Sequence, residues 1–397
     1  MFTPFAPELR ADPYPEYKRM RDEAPVWRDD LGNLFLSRYG DCVAVLRDHE
    51  RFSSDSRTQI RDEDVEVTDQ SGLFEFFGGK LMLFTDPPDH TRLRRLAGHA
   101  FTPRAVESWR PRVRSLVDEL LAGVEPDVTF DVMETLARPL PVIVIAELLG
   151  VPVADRDRFA QWSEALGRTI DPDMNLSADD VNAATTAAME FVGYFNDLIE
   201  QRRGTPGEDL LSALIAAEEE GDRLSHGELL ANLILLLIAG HETTSNLLGN
   251  GALALTRFPD QRDRLSGEPA LVRTAVDELL RYDPPVQFTA RNALVDVDVA
   301  GTRLARGKQV IVIIGGANRD PAQFDAPDDV RLDRSDNRHL AFSHGIHFCI
   351  GAMLARMEAQ EAFPALLAKC PKLEAAGEMS YRPNATLRGL ARFDVRG

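Results

Sequence analysis

The strongest constraint on the fold of this chain is a long apolar segment near its centre. Ser225 and Glu228 have the spacing of a helix capping box, and apolar residues then continue almost without interruption from 229 to 255. A helix that is apolar on nearly all sides must be buried on nearly all sides, so the remaining chain has to fold around it. Its middle nevertheless carries polar residues beside a glycine, in the run Ala239-Gly240-His241-Glu242-Thr243-Thr244. Such a local conflict is expected at a functional site.

The rest of the chain is predicted to be rich in helices, with a few short strands. We expect further helices at 14–23, 104–122, 134–149, 155–168, 178–203, 269–282 and about 350–368, and another that begins near Asp89 as its cap. Strands are expected at 34–37, 295–299 and 308–314, and irregular segments at 53–84, 166–178 and 317–348. A long irregular segment within a compact domain is usually functional. Repeats and linkers are not evident, so we predict one domain over residues 1–397, mainly α with small β-sheets (α+β).

Composition and charge narrow the class of protein. The chain has 45 lysine and arginine residues against 64 aspartate and glutamate residues, a net charge of −19, which opposes binding to nucleic acid. Three scattered cysteines are too few for a disulfide framework. The longest strongly apolar run, 233–240, is far short of the roughly 20 residues that span a bilayer, and the N-terminus does not resemble a signal peptide. We therefore expect a soluble, cytoplasmic protein that binds neither membrane nor nucleic acid.

The most distinctive motif is Phe342-Ser343-His344-Gly345-Ile346-His347-Phe348-Cys349-Ile350-Gly351. Two glycines allow the backbone to turn closely around Cys349, which precedes a predicted helix. The amides and dipole at a helix N-terminus favour a thiolate, which would serve as a metal ligand or a nucleophile. Zinc is disfavoured because a structural site needs four ligands, and no second pair is obvious. A single axial thiolate instead suits a haem iron that activates oxygen.

This loop resembles the haem-binding loop of the cytochrome P450 family. Three further segments are similar to family motifs in the same order: 90–94 to the propionate-binding helix, 239–244 to the oxygen-activating helix, and 278–281 to the Glu-x-x-Arg motif. With the Asn-Arg-Asp-Pro sequence at 318–321, the resemblance covers essentially the whole chain. It implies a single-domain cytochrome P450 fold of the bacterial, actinomycete type, with haem between the long central helix and the cysteine loop and helix.

The resemblance also implies roles for individual residues. Cys349 would ligate the iron, Thr243 would assist oxygen activation, and Glu242 would relay protons from solvent. Glu278 and Arg281 would be structural, with Asp329 where a third member, an arginine, is often found and Arg331 or Arg334 as substitutes. The other implied contacts with haem b are His90, Arg94, Ala239, Gly240, Arg291, Phe342, Gly345, His347 and Gly351.

Substrate contacts are implied by position in the family fold and by an apolar character that suits a small-molecule pocket. They are Phe74, Phe77, Leu81, Ile234, Ile238, Val286, Gln287, Phe288 and Leu387, together with Leu73 and Phe76. The segment 73–77 could equally belong to the core. A macrolide, steroid, terpene or fatty acid would be compatible with such a pocket.

The function implied is that of a haem-thiolate monooxygenase of secondary metabolism. It would insert one atom of O2 into a C–H bond of an apolar small molecule, by hydroxylation or epoxidation. A glycine fingerprint for flavin or nicotinamide is not found, so electrons would come from a separate ferredoxin and its reductase. The basic residues Arg92, Arg95, Arg104, Arg110 and Arg112 could steer an acidic partner, or could form an ordinary solvated helix face. Phenol coupling, peroxygenase activity and a non-catalytic haem protein remain alternatives, although the Glu242-Thr243 pair disfavours a peroxide-only enzyme.

Overall fold

The computed structural model describes residues 2–59, 80–170, 176–207, 209–219 and 224–397. These ranges are mainly helical, with small sheets of five, three and two strands, which confirms the predicted fold class. The helices are α1 (Tyr14–Glu23), α2 (Tyr39–Arg47), α3 (Asp89–Gly98), α4 (Pro103–Leu120), α5 (Pro139–Leu148), α6 (Arg156–Gly167), α7 (Ala178–Gly204), α8 (Leu210–Glu219), α9 (His226–Arg257), α10 (Pro259–Gly267), α11 (Val272–Tyr282), α12 (Ile314–Ala317) and α13 (Ala352–Lys369). The strands are β1 (Val26–Arg28), β2 (Leu34–Leu36), β3 (Phe52–Ser53), β4 (Phe130–Asp131), β5 (Phe288–Ala293), β6 (Val297–Val299), β7 (Thr302–Leu304), β8 (Gln309–Ile313), β9 (Glu374–Tyr381) and β10 (Leu390–Arg396). None of the helices in these ranges has both the length and the hydropathy needed to cross a bilayer.

Helix α9 begins at the predicted capping box. The Ser225 hydroxyl accepts the Glu228 N–H at 3.2 Å, and the Glu228 carboxylate accepts the Ser225 N–H at 2.9 Å. Helices α5, α6, α11 and α13 pack along α9, and its apolar side chains lie in the largest hydrophobic cluster of the described chain. The expectation of a central helix buried on nearly all sides is therefore confirmed.

The five-stranded sheet has the order β1-β2-β8-β5-β3 and separates two smaller hydrophobic clusters. Val310 belongs to the cluster on the α2 side, and Ile313 belongs to the cluster on the α1 side. Arg291 pairs with Val310 and Phe288 pairs with Ile313 across the antiparallel β5–β8 ladder. Because paired residues share a face of the sheet, Arg291 and Phe288 point to opposite sides.

Some elements differ from the expectation drawn from the sequence. The sequence predicts that Asp89 caps α3, but Pro88 occupies the cap position and Asp89 is the first helical residue. The Asp89 carboxylate accepts a hydrogen bond from Arg92 at 2.9 Å, an i,i+3 contact within the first turn. Helices α2, α8 and α10 and the β9–β10 hairpin were also not anticipated.

Glu278 and Arg281 of α11 form a fully buried ion pair, with two hydrogen bonds at 2.8 and 2.9 Å. The third member is Arg334, whose Nε donates to the same carboxylate at 3.0 Å. Arg331 contributes its backbone N–H to Glu278 at 2.8 Å, and Asp329 contributes its carbonyl to Arg281 at 2.8 Å. Removing one partner from a buried pair typically costs about 3–5 kcal/mol, so this cluster fixes the irregular segment that leads into the cysteine loop.

Candidate haem site

The cysteine loop, residues 342–351, contains a short helical turn at Gly345–His347 and ends at the start of α13. The Cys349 N–H donates to the Phe342 carbonyl at 2.9 Å and closes the loop. Gly345 has a φ of +71°, and a Cβ there would lie 2.5 Å from the carbonyl oxygen of Leu46. Only glycine permits both this backbone conformation and the close approach of α2.

The Cys349 sulfur is surrounded by protein yet accessible. The residue is exposed, while burial among neighbouring groups raises the pKa of its thiol. The Gly351 N–H and the guanidinium groups of Arg94 and Arg356 act in the opposite direction. The sequence predicts that the helix N-terminus favours the thiolate, but burial outweighs that effect for the free thiol. A metal cation on the sulfur would reverse the balance, because a coordinating thiol loses its proton.

Four basic side chains converge beside this loop. They are His90 and Arg94 of α3, Arg291 of β5 and His347 of the loop itself. The ring centroids of His90 and His347 are 4.3 Å apart. Burial lowers the pKa of His347 to about 3, and the three other basic side chains act in the same direction. Burial also lowers the pKa of Arg291 to about 10, an effect that Asp86 opposes.

The hydrogen-bonding capacity of this basic cluster is only partly used within the described chain. The Nε2 atoms of His90 and His347 are buried and, within the described ranges, have no hydrogen-bond partner. The Arg94 guanidinium donates to a carbonyl of the cysteine loop at 2.5 Å, and that of Arg291 donates to the carbonyl of the preceding residue at 2.7 Å. Carbonyl groups leave these positive charges unneutralised. Beside a cysteine at a helix start, the cluster fits the two propionate carboxylates of haem.

One stripe of α9 is accessible, whereas most of the rest of its middle is buried. Ala239 is exposed and Leu235 and Thr243 are partly exposed. These three positions are four residues apart and therefore share one face of the helix. The sequence predicts Ile234 and Ile238 as substrate contacts, but they are 0% and 3% exposed and belong to the core. Leu235, which the sequence does not single out, is partly exposed instead.

Gly240 lies beside the accessible stripe, is partly exposed, and also contacts a neighbouring helix. A Cβ at Gly240 would lie 3.1 Å from Cδ1 of Ile145 on α5. The missing side chain therefore allows α5 to pack closely on α9.

The polar pair on α9 has two different environments. The Thr243 hydroxyl donates to the Ala239 carbonyl at 2.6 Å, an i to i−4 bond of the kind that bends helices. Glu242 is buried, and its Oε2 accepts a hydrogen bond from Nη1 of Arg382 at 2.6 Å. The other oxygen of Glu242 has no hydrogen-bond partner in the described part of the chain, and Nδ1 of His241 lies 3.9 Å from it. Burial raises the pKa of Glu242, and Arg382 opposes that shift.

Arg382 was not anticipated from the sequence. It follows β9, and its N–H donates to the Gly389 carbonyl across the C-terminal hairpin at 3.0 Å. Its Nη2 also lies 4.0 Å from Oε1 of Glu164 on α6, a carboxylate with 70% of its side chain exposed. One guanidinium thus lies between a buried and an exposed carboxylate. Because Arg382 lowers the pKa of Glu242, it extends the pH range in which Glu242 is ionised towards lower pH.

The predicted substrate residues fall into separate environments. Val286 and Leu387 pair in an isolated β-bridge and lie together. Leu81 is buried in the main hydrophobic cluster. Other predicted contacts lie outside the described residues: Leu73, Phe74, Phe76 and Phe77.

Gln287 and Phe288 do not join this group. The Gln287 amide donates to the Pro284 carbonyl at 2.7 Å, and the residue is 1% exposed. The Phe288 ring packs on Phe5 with a centroid distance of 4.5 Å, on the α1 side of the sheet. Strand alternation turns Phe288 away from the side on which Arg291 lies, so the structure gives it a core role.

Several known proteins resemble this chain in sequence and in fold. The sequence model of the family described as Cytochrome P450 matches residues 56–379. Polyketide biosynthesis cytochrome P450 PksS of Bacillus subtilis is 40% identical over 406 residues, covering 100% of this chain and 98% of PksS. Cytochrome P450 monooxygenase PikC of Streptomyces venezuelae is 42% identical over 402 residues, covering 98% of this chain and 92% of PikC. The ligand-free crystal structure of Mycobacterium smegmatis CYP164A2 superposes with a TM-score of 0.90 at 40% identity, covering 99% of this chain and 98% of that one.

Gly345→Ala is expected to destabilise the cysteine loop, whereas Gly351→Ala is not. An alanine at 345 would have the positive φ of +71° and meet the Leu46 carbonyl, so we expect a loss of about 2 kcal/mol or more in the free energy of unfolding. Gly351 has a φ of −84° with nothing within 4 Å of its Cβ position, so its substitution should cost less than about 1 kcal/mol. Chemical denaturation followed by circular dichroism measures the free energy of unfolding of both variants. Equal losses would contradict the role given to Gly345 in the cysteine loop.

Proposed function

We propose that this chain, which belongs to the cytochrome P450 family, uses haem b to insert one oxygen atom of O2 into a C–H bond of an apolar small molecule. Its relatives are cytochrome P450 monooxygenases, a family that binds haem through a cysteine thiolate. The observation that carries the assignment of the site is the cluster of His90, Arg94, Arg291 and His347 beside the exposed Cys349. We also propose that residues 1–397 form one domain.

In this proposal the protein holds the cofactor at two places. Cys349 ligates the iron, and the loop hydrogen bond from its N–H to the Phe342 carbonyl keeps the sulfur in position. The basic cluster binds the propionates, with Arg94 and Arg291 as charges and the free Nε2 atoms of the two histidines as hydrogen-bonding groups. Bound haem supplies an iron whose thiolate ligand favours cleavage of the O–O bond.

Protons for the reaction are proposed to reach the accessible stripe of α9 through Glu242 and Thr243. The Thr243 hydroxyl is partly exposed and already bonded to the Ala239 carbonyl, so it can hold a hydrogen-bonded group at this surface. Glu242 has one free carboxylate oxygen, and its pKa is raised by burial, as general acids and bases require near neutral pH. The exposed Glu164 beyond Arg382 offers a route to solvent.

The substrate is proposed to be an apolar product of secondary metabolism, oxidised by hydroxylation or epoxidation. Support comes from Leu235 and Ala239 on the accessible stripe and from the Val286–Leu387 bridge. One relative, PksS, is named for polyketide biosynthesis. We further propose that the protein works in the cytoplasm, where its three free cysteines would stay reduced.

Electrons are proposed to come from a ferredoxin-type partner that docks on the side of the cysteine loop. The five arginines singled out in the sequence do not contribute equally. Three of them form ion pairs. Arg92 bonds Glu228 and Asp89, and Arg110 and Arg112 bond glutamates of neighbouring helices. Arg95 and Arg104 are exposed and have no ion pair among the described residues, so their charge is available to an acidic partner.

The carbon monoxide spectrum tests the proposed function. The dithionite-reduced protein with carbon monoxide is expected to show the strongly red-shifted Soret band of a thiolate ligand. Cys349→Ala should lose that band. Cys370→Ala, which removes a buried free cysteine elsewhere, should keep it. A band typical of histidine or neutral thiol ligation in the unsubstituted protein would refute the proposal.

Thr243→Ala is expected to uncouple oxygen consumption from product formation. Loss of the hydroxyl removes a group that positions protons at the accessible stripe, so we expect a several-fold fall in product formed per O2 consumed. The control is Thr244→Ala, because Thr244 is the adjacent residue but is 3% exposed. Product and O2 are measured together with any compound that the protein oxidises. An unchanged ratio in T243A would remove Thr243 from the mechanism.

Reversing the two unpaired arginines is expected to slow reduction by a ferredoxin. Arg95→Glu combined with Arg104→Glu should lower the second-order rate by about tenfold at low ionic strength, and the difference should shrink as salt is added. Arg303→Glu is the control, since Arg303 is 75% exposed but lies on β7 and pairs with Asp296. Stopped-flow reduction measures the rates. Equal rates in the double variant and the unsubstituted protein would exclude this docking face.

A further inference from the structure

A second polar cluster supports the cysteine loop from the side of α11 and α13. We call it the Asp277 cluster; it consists of Asp277 on α11, His339 before the loop, Phe342 at the start of the loop, and Arg356 on α13. None of these four residues belongs to the basic cluster that fits the propionates. The sequence singles out Phe342 but gives no role to the three polar members.

One carboxylate oxygen connects the polar members. Oδ1 of Asp277 accepts hydrogen bonds from Nε of Arg356 at 2.7 Å and from Nε2 of His339 at 3.2 Å. The Ala341 N–H donates to Nδ1 of His339 at 3.2 Å. Because Nδ1 is an acceptor, the proton of a neutral imidazole must be on Nε2, so His339 donates to Asp277. Burial lowers the pKa of His339, which agrees with a neutral ring.

The cluster reaches Cys349 through Phe342. The Arg356 guanidinium carbon lies 4.4 Å from the centroid of the Phe342 ring, a cation–π distance, and the His339 ring centroid lies 5.7 Å from it. The Phe342 ring is 8% exposed, and the Phe342 carbonyl accepts the Cys349 N–H at 2.9 Å. A displacement of Arg356 would therefore change the packing of the residue that closes the cysteine loop.

The geometry also places a permanent positive charge near the sulfur. Arg356 is 27% exposed in its side chain, and Asp277 is 31% exposed, so both are only partly hydrated. An arginine has the planar group needed to bond a carboxylate and stack on an aromatic ring at the same time. Positive charge beside a thiolate stabilises its electrons on sulfur and favours the reduced form of a bound metal, and residues behind a ligand commonly tune a metal in this way.

We propose that Asp277 and His339 are positioning residues that hold Arg356 over Phe342, and that the Asp277 cluster thereby sets how strongly the Cys349 thiolate donates electrons to the haem iron. The proposal rests on the proposed function, because it requires haem to be bound by Cys349. The cluster acts on the ligand rather than on substrate, so it predicts changes in spectrum and potential that do not depend on a known substrate.

The test compares Arg356→Gln with Arg114→Gln in the haem-loaded protein. Arg114 provides a matched control. Its substitution removes the same charge beside α13, where Arg114 bonds Glu361, but Arg114 has no contact with Phe342 among the described residues. We expect R356Q to lower the ferric–ferrous midpoint potential in a dye-mediated titration. We also expect it to convert part of the ferrous carbon monoxide complex to the neutral-thiol form. R114Q should leave both unchanged; identical behaviour of the two variants would overturn the proposal.

Positioning by Asp277 is tested by a double-mutant cycle. If Asp277 acts by holding Arg356, the shift in potential caused by Asp277→Asn should differ between the unsubstituted and R356Q backgrounds. Additive shifts would show two independent surface charges and would overturn the positioning role. If R356Q does not fold, Arg356→Lys provides the test. It keeps the charge but loses the planar stack, so we expect its midpoint potential to lie below that of the unsubstituted protein. An unshifted potential in R356K would then overturn the proposal.

The controls also separate this inference from the proposed function. If the unsubstituted protein lacks the thiolate carbon monoxide band, the proposed function fails and Cys349 is not the ligand. If that band is present but R356Q matches R114Q, the haem assignment stands and the role of the Asp277 cluster is refuted.

Discussion

Helix α9 has to be buried along most of its length and still keep one stripe of its surface accessible. Helices α5, α6, α11 and α13 pack most extensively along it, and Gly240 allows α5 to approach so closely that Ile145 would lie 3.1 Å from an added Cβ. On the neighbouring face, Leu235, Ala239 and Thr243 remain accessible. The close packing at Gly240 and the accessible stripe beside it together define how α9 is rotated about its own axis within the fold.

The basic cluster beside the cysteine loop is unfavourable on its own. Burying cations without anions is costly, and the chain limits this cost by shifting pKa values: that of His347 is lowered to about 3, so its ring is neutral at pH 7. Arg291 stays charged, although burial lowers its pKa to about 10. Two carboxylates placed here would neutralise the remaining charge and satisfy the free Nε2 atoms. Haem binding should therefore contribute to the stability of the folded chain by binding the native state alone.

The sequence predicts the central helix, its capping box and the cysteine loop because each depends on residues close together in the chain. It does not predict which face of α9 is accessible. The segment 229–238 contains hardly any polar residue, so no periodicity distinguishes Leu235 from Ile234. Nor does it predict the β9–β10 hairpin, whose first strand has mostly exposed, weakly apolar residues. Arg382 at the end of that strand meets Glu242 across 140 positions of sequence, a contact that only the tertiary fold creates.

Both proposed reactive groups of the site are acids whose ionisation depends on arginines from distant elements. Burial raises the pKa of the Cys349 thiol and of the Glu242 carboxyl, and in each case guanidinium groups oppose the shift. Arg382 bonds Glu242 directly, whereas Arg356 contacts the ring of Phe342, whose carbonyl accepts the Cys349 N–H. Direct bonding of one oxygen favours the ionised form of Glu242, while its other oxygen has no hydrogen-bond partner in the described chain and can take part in the proposed proton transfer. Contact through a ring leaves the sulfur free to bind a metal while a positive charge remains nearby. The different geometries therefore match the different chemistry proposed for the two acids.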